Sequence, residues 1–119
     1  MVSKNVTDLN DVDFDGAVAR GIVLVDFWAP WCAPCRVQGA ILEEVAEALC
    51  GQAKIAKVNV DEAETVAQRH QVQAIPTLLL FRKGEAVVRL IGVQSRDTLV
   101  SSIRRLLTPS ISDGGNGEA

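Results

Sequence analysis

Apolar positions along the chain alternate between two periods, short β-branched runs and longer stripes at helical spacing, and this alternation predicts an α/β fold. Ile22–Trp28 is a near-continuous apolar and aromatic run broken only by Asp26, the pattern of a strand buried on both faces in the middle of a sheet. Val37, Ile41, Leu42, Val45, Ala48 and Leu49 then recur at helical spacing with Glu43, Glu44 and Glu47 opposite, which predicts one long amphipathic helix over residues 34–50, stopped by Gly51. Residues 53–60 read as a second inner strand, and Asp61 as the cap of a helix with Glu62 and Glu64 in its first turn and Arg69 and His70 in its last. Residues 77–81 and 87–91 flank Arg82, Lys83, Gly84 and Glu85, a short glycine-containing connection that joins antiparallel strands and so makes the sheet mixed. Ser95 caps a last helix whose apolar face is Leu99, Ile103 and Leu106, with Arg104 and Arg105 near its end and Pro109 beyond. At the other end Val6–Leu9 is a short strand candidate, followed by Asn10 or Asp11 as the cap of a segment carrying Phe14 and Val18 and closed by Gly21.

Nothing in this pattern repeats, and the only break in composition is the Ser/Gly/acidic stretch at residues 110–119, so residues 1–108 are expected to form one domain and residues 109–119 a disordered tail. At 119 residues and 48% hydrophobic, the chain has enough apolar surface for a core of its own without disulfide staples. Twelve Lys and Arg against fifteen Asp and Glu leave a net charge of −3, so neither nucleic acid nor an anionic membrane surface is an expected partner. No apolar run is long enough to span a bilayer and no signal-peptide core opens the chain, so it reads as a cytoplasmic protein.

The cysteines change the picture most. Cys32, Cys35 and Cys50 are too few and odd in number for a structural disulfide framework. A close pair with two residues between, Cys32-Ala33-Pro34-Cys35, falls at the junction of the buried strand and the long helix. There the free N–H groups of the first helical turn and the positive end of the helix dipole stabilise a thiolate, the form that attacks a disulfide. Cys32 is then the nucleophile. Cys35, three residues on and on the same side of the helix, is the resolving thiol. Pro34 falls in the first turn, where its missing N–H costs nothing and its fixed φ stiffens the geometry around the sulfurs. A zinc site completed by Cys50 or His70 is disfavoured, because Cys35 and Cys50 on one helix are separated by a rise of about 22 Å. No metal and no cofactor is therefore expected. Cys50 reads as a packed or partly exposed thiol without a role, His70 as a helix-end residue complementing the dipole, and Trp28 as packing beside the site.

Together with Val25-Asp26-Phe27-Trp28-Ala29, Trp31-Cys32-Ala33-Pro34-Cys35, Lys57-Val58-Asn59-Val60-Asp61 and Ile75-Pro76-Thr77, and with Phe81, Gly84 and Gly92, the chain resembles the thioredoxin family from about Phe14 to Leu107. The resemblance implies a central mixed sheet of about five strands with helices on both faces. It also implies a dithiol that reduces disulfides in target proteins, regenerated by a dedicated reductase. Carried over residue by residue, it makes Asp26 a buried acid that exchanges a proton with Cys35, with Lys57 as its cationic neighbour. Desolvation of a carboxyl in an apolar strand raises its pKa toward neutrality, and a nearby cation opposes that rise. Pro76 becomes a cis proline beside the cysteines, with the Ile75 backbone free to pair with an extended substrate. Trp31, Val60, Ile75, Gly92 and Val93 become an apolar rim that receives target proteins around an exposed sulfur.

The chain departs from the family in places. Ala33 stands where Gly is commonest, Ala40 where many members have a kinking Pro, and Arg36 where Lys is more usual, while His70 and Gln73 also differ. The expected activity is a protein-disulfide reductase acting as a monomer. Two other readings are an oxidase or isomerase on the same fold and a non-catalytic subunit docking through the rim. Oxidants favour the thiolate with a polar or cationic residue between the cysteines, and Ala33 and Pro34 provide neither, so the reductant is preferred.

Overall fold

The computed structural model describes residues 5–107. In chain order these are β1 (Val6–Leu9), α1 (Phe14–Val18), β2 (Ile22–Trp28), α2 (Ala33–Ala48), β3 (Lys54–Asn59), α3 (Glu64–Arg69), β4 (Thr77–Arg82), β5 (Glu85–Ile91) and α4 (Arg96–Leu107). The strands form one sheet in the order β1-β3-β2-β4-β5. β3 pairs parallel with β1 and β2, and β4 pairs antiparallel with β2 and β5. The sheet is thus mixed and five-stranded, as expected. The proposed boundary at residue 108 and the tail at 109–119 lie outside the described residues.

Successive side chains of a strand point to opposite faces, and β2 shows how this sets the layers. Ile22 and Leu24 join Val6, Ile55, Leu78 and Leu80 under Leu42, Val45 and Ala46 of α2, Leu49 at its C-terminal cap, and Leu99, Val100 and Ile103 of α4. Val23, Val25 and Phe27 face the other way, with Ala56, Val58, Leu79 and Phe81, against Phe14 and Val18 of α1 and Val66 and Ala67 of α3. Alternation carries Asp26, two positions after Leu24, onto the α2 side. Across the strand pair Lys57 stands opposite Asp26 and, two positions after Ile55, on that same face.

Several local expectations shift. The hairpin connection contracts to Lys83 and Gly84, both at positive φ (53° and 87°) as a two-residue primed turn requires, so β4 and β5 each run further toward the turn than their apolar runs suggested. Helix α3 begins at Glu64 rather than after Asp61, and its neighbouring Ala63 offers no side-chain cap. The orphan N–H of Val66 is instead met by Asp11 Oδ1 at 2.9 Å, from 55 residues upstream. The N-cap of α1 is Asp13, without a side-chain cap bond, and not Asn10 or Asp11; Asn10 instead closes the turn ahead of the helix, its Oδ1 accepting from the N–H groups of Val12 and Asp13 while Asp13 Oδ1 accepts from the Asn10 N–H. In α2 the buried positions are Cys35, Gln38, Leu42, Val45 and Ala46, whereas Val37, read from its spacing as part of the apolar stripe, is 55% exposed. Ser95 caps α4 as expected, its Oγ accepting from the Thr98 N–H at 3.1 Å.

His70 is corrected more fully. Its ring sits among those of Phe14, Phe27 and Phe81, at centroid distances of 5.4, 6.3 and 5.5 Å. Burial, then the Arg69 and Arg89 charges, lower its pKa from 6.5 against the opposing pull of Asp15, so the residue acts as an aromatic packing unit and not as a cation for the dipole.

Candidate active site

Helix α2 starts at the dithiol because Cys32 is its N-cap. Cys32 leaves the helical region (φ −95°, ψ 108°), and its sulfur accepts from the Cys35 N–H at 3.2 Å, the bond a Ser or Asp oxygen makes at other helix starts. Cys32 and Cys35 form a disulfide with their Cα atoms 5.2 Å apart. Pro34 occupies the first helical turn, and Ala33 and Pro34 are both exposed. The loop before the pair is braced from the helix, where Arg36 Nη1 donates to the Pro30 carbonyl at 3.0 Å.

The sulfurs are less open than expected. Cys32 is 6% and Cys35 2% exposed, since the capping geometry turns both toward the protein and the Ile75 carbonyl stands 3.9 Å from Cys32 Sγ. The Ile75–Pro76 peptide bond is cis, the isomer implied by the resemblance, and Pro76 itself is buried.

Around this centre the five rim residues come from four separate connections. Trp31, 69% exposed, donates its indole Nε1 to Asp61 Oδ2 at 3.0 Å. Val60, half-buried, is held beside β2 by its N–H on the Trp28 carbonyl at 2.9 Å. Gly92, at φ 89°, donates to the Pro76 carbonyl at 2.8 Å, which brings the half-buried Gly92 and the exposed Val93 next to the cis bond. Ile75 is half-buried between them and the disulfide. The five positions assigned to the rim therefore converge on one end of the sheet.

Beneath lies the acid. Asp26 has no exposed surface, and neither of its carboxyl oxygens has a hydrogen-bond partner among the described residues. Burial pushes its pKa up to about 7, against the pull of the Lys57 ammonium. Lys57 Nζ itself lies 4.2 Å from the centroid of the Trp28 ring and beside Gly39, where an added Cβ would stand 3.6 Å from it. A carboxyl that changes charge near neutrality, on the sheet face covered by the dithiol helix, can take up or release a proton in the pH range where thiols react.

Gln38 was absent from the sequence expectations. It is the polar member of the buried stripe of α2, and both ends of its carboxamide bond to the backbone of Gln94. The available signal was its spacing of three from Cys35 and four from Leu42, which puts a carboxamide on the apolar face. Cys50 is exposed and unpaired beyond the other end of α2, and among the described residues no group of three or more His, Cys, Asp or Glu is arranged to hold a metal ion. Among those residues, too, no helix is long and apolar enough to cross a membrane.

The arrangement has known counterparts. The family model described as thioredoxin matches residues 5–105. Thioredoxins from Staphylococcus aureus strains Mu50, MW2 and N315 are each 39% identical to this chain over 102 residues, covering 86% of it and 98% of their own length.

Proposed function

The chain belongs to the thioredoxin family and is a thiol–disulfide oxidoreductase that reduces protein disulfides, and from that premise we propose a division of labour among its site residues. Cys32 as thiolate attacks one sulfur of a target disulfide, forming a mixed disulfide and releasing the first target thiolate. Cys35 gives its proton to Asp26 and attacks Cys32 Sγ, which releases the second target thiolate. The target gains two electrons and the protein ends as the Cys32–Cys35 disulfide.

The observation that carries the reading is the N-cap. The Cys35 N–H already points at Cys32 Sγ, so a thiolate there meets a donor in place. The elevated pKa of Asp26 suits it to accept a proton near neutrality, and Lys57 limits the rise. Ala33 and Pro34 keep the turn between the sulfurs stiff. Trp31, Val60, Ile75, Gly92 and Val93 form the surface for target proteins, with the backbone of Ile75, set by cis Pro76, pairing with an extended target segment.

Disulfide-containing proteins are the substrates and a reductase is the electron donor. The protein works as a monomer in the cytoplasm, where the thiol poise keeps such a dithiol reduced. Trapping tests the assignment of the two sulfurs. Cys35→Ser leaves attack intact but blocks release, so disulfide-bearing proteins accumulate on Cys32 and dithiothreitol frees them. Trapping by Cys32→Ser and not by Cys35→Ser reverses the roles.

A further inference from the structure

Gln38 has no exposed surface and lies one helical turn beyond Cys35. Burying a carboxamide is unfavourable unless donor and acceptor are both matched. A single residue matches both: Gln38 Nε2 donates to the Gln94 carbonyl at 3.1 Å, and Gln38 Oε1 accepts from the Gln94 N–H at 2.7 Å. The side chain imitates a neighbouring strand, and two bonds in one ring fix orientation as well as distance.

Gln94 belongs to the connection between β5 and α4 that carries Gly92 and Val93. The same connection is tied at Gly92 to the Pro76 carbonyl, and the Gln94 side chain folds back so that Nε2 donates to the carbonyls of Ile91 at 3.2 Å and Gly92 at 3.1 Å. The helix bearing the dithiol, the cis-proline segment and the 92–94 connection are therefore registered to one another, with Gln38 as the link from the helix.

We propose that Gln38 is a positioning residue for protein substrates, holding Gly92 and Val93 at a set place relative to Cys32 so that the rim is formed before a target arrives. The proposal rests on the reading that this rim receives target proteins. A loop ordered in advance spares binding the cost of ordering it. A small disulfide reaches the sulfur without the loop and gains nothing from its order.

The test compares insulin, a protein disulfide, with dithiobis-nitrobenzoate, a small one, each reduced by protein that has been pre-reduced and freed of dithiothreitol, because dithiothreitol would itself reduce the small disulfide. Gln38→Leu keeps the volume but strands the Gln94 N–H and carbonyl; it raises KM for insulin about tenfold and changes the rate on the small disulfide by no more than about twofold. Gln38→Glu supplies a signature that packing alone does not. As a buried neutral acid it donates and accepts like the carboxamide, whereas once ionised it only accepts and opposes the Gln94 carbonyl. Its insulin-to-small-disulfide rate ratio matches that of the unaltered protein at low pH and drops toward that of Gln38→Leu as pH rises. Taking the ratio cancels the pH dependence of the dithiol chemistry, which both substrates share.

Equal losses on both substrates for a folded Gln38→Leu overturn the proposal, and a flat ratio for Gln38→Glu overturns it even if Gln38→Leu fails to fold. Val93→Asp separates the two layers of the argument. Unchanged KM for insulin in that variant defeats the rim and the proposal with it, whereas a raised KM there beside an unchanged one in Gln38→Leu defeats only the role of Gln38.

Discussion

The indole N–H of Trp31 and the carboxylate of Asp61, 3.0 Å apart, join the loop before the dithiol to the turn after β3. The bond holds a large, solvent-facing ring in one orientation above Cys32, and its acceptor is a charged group, so it is stronger than a neutral pair of the same length.

Asp61→Ala releases that ring. Loss of one exposed, charge-assisted bond is worth about 1 kcal/mol, so KM for a protein disulfide is expected to rise about fivefold with little change in turnover of a small disulfide. The indole N–H resonance of Trp31 should shift and sharpen in the variant. An unmoved resonance shows that the bond does not persist in solution.

Asp26→Asn is expected to slow resolution of the mixed disulfide around neutral pH while stabilising the fold, and the sign follows from proton counting. The folded pKa of about 7 exceeds the ordinary 3.8, so between those values the folded state holds a proton that the unfolded state has lost. Stability of the unaltered protein thus falls as pH rises from about 4 to 7 and levels off above, a loss of roughly 4 kcal/mol that the amide does not share. Denaturation of both proteins by urea at pH 4 and pH 8 measures it. The gap should be small at the lower pH and wide at the higher.

For His70 the slope has the opposite sign. Its folded pKa lies below 6.5, so as pH falls below that value the unfolded state takes up the proton first and stability is lost. His70→Phe, which continues the ring cluster, should flatten this acid limb without affecting the stability near pH 8 in the same way. A limb identical in both proteins excludes His70 as its source.

Asp11→Ala removes the acceptor that serves the Val66 N–H of α3. It should cost about 1 kcal/mol of stability, as loss of a helix cap does, and leave disulfide reduction intact. Urea midpoints and initial rates on the same samples check both halves.

Much of the architecture was legible because long apolar runs and helical stripes report burial directly: Ile22–Trp28 is the central strand, and the alternation of the 53–60 region is β3. Caps were harder. Asp61 has the right residue type and position for a helix start, yet its carboxylate serves Trp31 thirty residues upstream, while Asp11 reaches across 55 residues to do what Asp61 was expected to do. Chain-local reading assigns a polar side chain to its nearest backbone, and folding offers it distant ones. His70 escaped for a related reason, since three phenyl rings from α1, β2 and β4 assemble around it only in space. Within the site, the order strand, cysteine pair, helix placed Cys32 at an N-terminus from spacing alone, whereas the shielding of its sulfur depends on the Ile75 carbonyl, 43 residues further along the chain, arriving ahead of the neighbouring strand β4.

Because Cys32 is both the attacking atom and the N-cap of α2, a substitution there edits two properties at once. Serine, among the strongest capping residues, abolishes the chemistry while reinforcing the start of the helix, and alanine abolishes both. Comparing the two inactive proteins measures what a capping atom at position 32 contributes to the helix, so neither alone serves as a silent background for measuring what the redox state does to the fold.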